Sequence, residues 1–165
     1  MTGKGLSQEM IESLMKLHLP PGKARHPTRW SVDRIATLQL MYELEIDYPV
    51  KISFQKYKTH SYTGRITYGN HSTDYHKIHY IRMDDTRSYE VANNTLLHEF
   101  VHCRQVEQWV KQDPTNRPPN RFYSLAYRHA KGRHGQTYHG NSYEVEAREM
   151  ADILEKKYQL LVPAP

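Results

Sequence analysis

The sequence predicts an α+β fold, a small antiparallel sheet packed on helices, on three observations. Apolar residues recur at helical spacing in four separate segments, short alternating segments stand between the second and third of these, and no pattern repeats along the chain. A length of 165 residues suits one domain with a real core. The hydrophobic share of 38% and mean hydropathy of −0.85 are polar for a globular chain, but 13 tyrosines supply large side chains that fill a core and keep their hydroxyls bonded. The expected organisation is a single domain over 1–165. Residues 1–30 form an accessory helix and loop, 31–158 the core, and 159–165 a tail.

The first helix is expected over 7–18, SQEMIESLMKLH, with Ser7 as cap, Met10, Ile11, Leu14, Met15 and Leu17 on one face, and Pro20, Pro21 and Gly22 ending it. Ser31 opens the second, whose face carries Val32, Ile35, Ala36, Leu38, Leu40 and Met41 and which Pro49 closes. Three strands follow: 50–58 with Val50, Ile52 and Phe54 on one side, a brief 64–69, and 76–83 with Ile78, Tyr80 and Arg82 on one side. Turns are expected at THSYTG (59–64) and GNHSTD (69–74). A long helix over 88–112 stops at Pro114, and a last helix runs from 141 to 158 before a fraying VPAP end.

Nowhere does an apolar run approach the roughly 20 residues that span a bilayer, and the first 21 residues lack the continuous hydrophobic stretch of a signal peptide. The expectation is a cytoplasmic chain without a membrane partner. Cys103 is the one cysteine, which excludes an internal disulfide and a multi-cysteine zinc knuckle. The net charge of +5 is unevenly spread. Between 112 and 141, Arg117, Arg121, Arg128, Lys131 and Arg133 face the single acid Asp113, with Phe122, Tyr123, Tyr127 and Tyr138 interleaved. This mixture reads either as a track for a nucleic-acid backbone or as a solvated basic loop beside an active site. Five charges over some 30 residues are sparse for a dedicated groove, so the loop is the favoured reading.

The pattern H-E-x-x-H at His98, Glu99 and His102 falls inside the long helix. Positions i and i+4 project from one face on adjacent turns, so both imidazoles can address a single ion. Glu99 projects about 100° away, where it meets a water held by the metal rather than the metal itself. A catalytic zinc needs a third protein ligand, and the last helix offers two carboxylates. Glu144 borders the small-residue edge of a stripe formed by Ala147, Ala151, Leu154 and Tyr158; Glu146 borders the opposite edge, beside Met150 and Ile153. Small side chains allow close helix approach, which favours Glu144 over Glu146.

TLLHEFVHCRQ followed by YEVEAREMAD resembles the gluzincin class of HExxH zinc metallopeptidases, whose third ligand is a glutamate in an E-x-x-A pattern on a later helix. The pattern maps onto Glu144 and Ala147, although Arg148 stands where an aspartate often follows. Over residues 30 to 158 the layout is similar to minimal metallopeptidases of the ImmA/IrrE-like and SprT-like types, the minimal zincins. The resemblance implies one Zn2+ held by His98, His102 and Glu144, with Glu99 as general base and a protein or peptide as substrate. SprT-like proteases take a third histidine from an H-G-x-x-F type sequence instead, to which HGQTY at His134 and HGNSY at His139 are similar. His134, His139 and Glu146 therefore stand as alternative ligands or as neighbours of the ligands.

Tyr138 and Tyr143 are candidate donors to a developing oxyanion, with core packing as the plainer role. Gln105 suits an amide that supports a ligand. His60, His71, His76 and His79 read as surface groups in sheet or turn, and Cys103 as incidental. The segment HKIHYIRM is the expected edge strand for an extended substrate. Two functions follow: a zinc metallopeptidase, or a nucleic-acid-binding module built on 117–138. The two coincide in a SprT-like protease acting on protein crosslinked to DNA.

Overall fold

The computed structural model describes residues 17–18, 29–55, 68–85, 87–113, 115 and 142–164. Within them the expected small α+β fold is present, with three helices, a four-stranded sheet and a two-stranded sheet.

Helix α1 spans Arg34–Glu43 with Asp33 as its cap, two positions after Ser31, where the sequence suggests the segment opens. The Asp33 backbone is extended and its Oδ1 accepts from the Ala36 N–H at 3.0 Å. Residues Trp30–Val32, expected in that helix or the preceding loop, instead form strand β2. The helix ends in a Schellman arrangement: Ile46 N–H reaches the Met41 carbonyl, Glu45 N–H reaches Tyr42, and Glu45 takes the left-handed φ of 56°. Thr37, Leu38, Leu40 and Met41 are its buried face.

The main sheet contains β1 (Leu17–His18), β3 (Val50–Gln55), β4 (Gly69–Thr73) and β5 (His79–Asp84) in the order β1-β3-β5-β4. It is mixed rather than antiparallel: β3 pairs parallel with both β1 and β5, and only β4 and β5 run antiparallel. Alternation reports which side chains share a face and carries no information on partner direction. The chain at 17–18 is strand, not the end of a helix; residues 7–16 of the expected helix and 64–67 of the expected brief strand lie outside the described residues.

GNHST, expected as a turn, is strand β4, with His71 and Thr73 turned inward. The glycine misled here because the strand needs it. A Cβ on Gly69 would come within 2.8 Å of Thr95 Cγ2, so only glycine lets this strand lie so close to the neighbouring helix. The turn itself comes next, where Lys77 takes φ 62° and Asp74 Oδ1 accepts from the backbone of His76 and Ile78. In β5 the buried set is His79, Ile81 and Met83, one residue out of phase with the expected Ile78, Tyr80 and Arg82. Both phases contain large apolar groups, so the pattern alone does not choose the face. β5 also lies between β3 and β4, which removes it as an edge strand; β4 is the edge on that side among the described residues.

Helix α2 (Tyr89–Gln112) packs its Leu96, Leu97, Phe100 and Val101 into the core beneath the sheet and against α3 (Ser142–Leu154). Ala147 and Ala151 are fully buried, and these small side chains let the two helices approach. α3 stops four residues before the expected Tyr158. Asn93 then fixes the outgoing chain, donating to the Tyr158 carbonyl and accepting from Leu160 N–H at 2.8 Å. The expected fraying tail is instead strand β6 (Leu161–Pro163), antiparallel to β2 with Leu161 opposite Val32. Burial of Leu160 and Leu161 holds it there. No described helix is long and apolar enough to cross a membrane.

Candidate metal centre

The third and fourth turns of α2 carry His98 and His102 toward α3, where Glu144 enters from the first turn. His98 Nε2 lies 3.1 Å from His102 Nε2 and 3.1 Å from Glu144 Oε2, and His102 Nε2 lies 3.0 Å from Glu144 Oε1. The rings stand nearly perpendicular, at 83°. These three residues are close enough to hold a metal ion, their ligand atoms lying within 4.8 Å of one another. Four-coordinate bonds of 2.0–2.2 Å to nitrogen and oxygen set donors about 3.3–3.5 Å apart, so the observed triangle needs only a small opening.

Proton placement makes the same point. His102 Nδ1 donates to Gln105 Oε1 at 2.8 Å, and the orientation of that amide is fixed because its Nε2 donates to the Tyr143 carbonyl and to Glu146 Oε1. A neutral His102 therefore presents a bare Nε2 lone pair to a carboxylate oxygen, an arrangement that calls for a cation between them. Without a metal the imidazole supplies it. Burial alone would lower the His102 pKa, but the Glu144 hydrogen bond and the nearby Glu99 and Glu144 charges prevail and raise it to about 9.

Glu99 is buried beside this cluster. Burial, partly countered by His102 and His98 and reinforced by Glu144, raises its pKa above the ordinary carboxylate value. Such a shift suits a group that takes up and returns a proton. Glu146 is outside the cluster, its carboxylate directed at Gln105 on the exposed flank of α3. Tyr143 is half-buried and reaches Gln105 through its backbone carbonyl. His134, His139, Tyr138 and the basic residues Arg117, Arg121, Arg128, Lys131 and Arg133 lie outside the described residues.

A second polar cluster lies on the other side of His102, built from residues expected at the surface. His71 and His79 are buried, and with the buried Cys103 they too bring ligand atoms within 4.8 Å of one another. His79 Nε2 donates to Glu107 Oε2 at 2.8 Å, and Glu107 Oε1 accepts from Asp47 N–H at 2.7 Å. His79 Nδ1, His71 Nε2 and Thr73 Oγ1 form a triangle with sides of 2.7, 2.9 and 3.0 Å. Burial, then the adjacent His79 and His102, push the His71 pKa well below its ordinary value, and burial pushes the Cys103 thiol up. One signal for this cluster was present in the sequence: Leu96, Phe100, Cys103 and Glu107 follow helical spacing on one face, which places Glu107 on the buried stripe. No family model, curated protein or solved structure matches this chain.

Proposed function

We propose that the protein is a zinc-dependent metallopeptidase, with His98, His102 and Glu144 holding the ion and Glu99 as general base. The convergence of two imidazole nitrogens and a carboxylate, supported through Gln105 and flanked by a buried carboxyl, carries this reading. When bound, zinc supplies Lewis-acid polarisation of a substrate carbonyl and of water. Glu99 removes a proton from the attacking water at a carboxylate oxygen and returns it to the departing amine nitrogen. Gln105 fixes the His102 tautomer so that Nε2 stays available. Strand β4, the sheet edge beside α2 among the described residues, offers backbone groups to an extended peptide.

The test is metal analysis and peptide hydrolysis on one preparation. Zinc near one equivalent at this triad, lost in His98→Ala and kept in Glu99→Gln, should accompany a kcat/KM that falls by about 10²–10⁴-fold in Glu99→Gln. A folded Glu99→Gln variant that cleaves peptides normally would overturn the assignment. Single-stranded DNA should bind no tighter than the nonspecific range of about 10⁻⁴–10⁻⁶ M at physiological salt. Tighter binding, weakened by substituting Arg121 and Arg128 and accompanied by no cleavage, would favour a nucleic-acid module instead.

A further inference from the structure

We infer that His71, His79 and Cys103 form a second metal site, structural rather than catalytic, which takes a soft-to-borderline ion of the Zn2+ kind. The donors come from three elements, His71 from β4, His79 from β5 and Cys103 from α2, and converge in the protein interior. All three are buried, His79 and Cys103 completely. Three protein donors leave a tetrahedral ion one further position, and their burial keeps a substrate from it, which makes the centre structural. The thiol distinguishes its preference from the all-nitrogen-and-oxygen set at His98, because sulfur favours zinc and softer ions.

Proton counting is compatible with a cation here as well. A neutral His79 that donates through Nε2 to Glu107 leaves Nδ1 as a bare lone pair. Three contacts then join His79 Nδ1, His71 Nε2 and Thr73 Oγ1, but only the Thr73 hydroxyl and at most one His71 proton are available to fill them. Those two protons satisfy the metal-free cluster in one arrangement, His71 Nε2–H donating to Thr73 Oγ1 and the Thr73 hydroxyl to His79 Nδ1; with the His71 proton on Nδ1 instead, two bare imidazole nitrogens face each other at 2.9 Å. An ion bound by both imidazoles uses that second arrangement and leaves the Thr73 hydroxyl as a nearby oxygen. The Glu107 carboxylate behind His79 is the orienting partner that metal-bound histidines characteristically have. Tetrahedral bonds to two nitrogens and a sulfur place the donors about 3.4–3.6 Å apart, within reach of the present spacing by shifts of about 1 Å. Binding replaces the thiol proton of Cys103, which passes to solvent as the sulfur–metal bond forms. The bound ion would fasten the edge strand β4 to α2 beside His102, whose ring stacks at 19° to that of His71 with centroids 6.3 Å apart.

Cobalt substitution of the metal-free full chain tests this. The expected result is two equivalents of Co2+ and a thiolate-to-cobalt charge-transfer band in the near ultraviolet. The chain has one cysteine, so that band reports Cys103 alone. His98→Ala should remove one equivalent and keep the band; Cys103→Ser should remove the other equivalent together with the band. A wild-type chain, folded by near-ultraviolet circular dichroism, that shows no thiolate band at saturating Co2+ would overturn the proposal whatever its stoichiometry. That spectrum decides even if Cys103→Ser does not fold.

Discussion

The two histidine clusters beside α2 share a chemistry and differ in access. In the first, the His98 side chain is 15% exposed while His102 and Glu144 are nearly enclosed, so one edge of the triad faces outward. In the second, His79 and Cys103 are fully buried, His71 is 9% exposed, and the network behind His79 closes on backbone N–H groups. Converging donors alone therefore do not define a reactive site. A cluster open at one edge can meet a substrate, whereas a sealed one can only hold the fold together.

The largest effect that would sharpen this contrast is expected from Glu107→Ala. It leaves His79 Nε2 and the Asp47 N–H without their buried acceptor, which should destabilise the protein by about 3 kcal/mol in urea unfolding. Glu146→Ala, on the exposed flank of the first cluster, should cost less than about 1 kcal/mol. Equal losses would erase the distinction between a sealed and an open cluster.

The pH dependence of the metal-free protein should show the two clusters pulling in opposite directions. The His102 pKa is raised from 6.5 to about 9, so its contribution is fully present below pH 6.5 and is lost as pH rises through 9, on the order of 3 kcal/mol. His71 is lowered well below 6.5, so the unfolded chain takes up its proton first and stability is lost as pH falls below 6.5. Stability should then peak near pH 6.5. His102→Gln should flatten the alkaline arm and His71→Asn the acid arm; if either variant flattened the opposite arm, these assignments would fail.

A smaller effect is expected at Gln105→Ala, which removes the acceptor for His102 Nδ1 and leaves the direct donors in place. Metal affinity at the first cluster should fall by about 10- to 100-fold, measured by competition with a chelator. Cobalt bound through Cys103 should be unaffected. An equal loss at both clusters would mean that they titrate as one unit.

The elements that were legible in the sequence are those whose information is local. α2 was foreseen within a residue at each end, and the pairing of His98 with His102 follows from helix geometry. The approach of Glu144 was foreseen in outline, from the small-residue edge of α3 and from the E-x-x-A resemblance. Two strands were legible as segments, 50–58 and 76–83 against the observed 50–55 and 79–84, but β4 was hidden by glycine, asparagine and serine, residues that usually mark turns.

Tertiary structure alone decided the rest. Strand direction, the inward phase of β5 and the docking of β6 on β2 each depend on a partner remote in the chain, which no local periodicity names. The same holds for the second cluster. His71, His79 and Cys103 carry no mutual spacing rule because each comes from a different element, and their meeting was fixed only when β4 crossed α2 at Gly69. Helical ligands are set by the pitch of one backbone, and the sequence shows them; ligands drawn from strands and helix together are set by packing, and the folded chain alone brings them to one place.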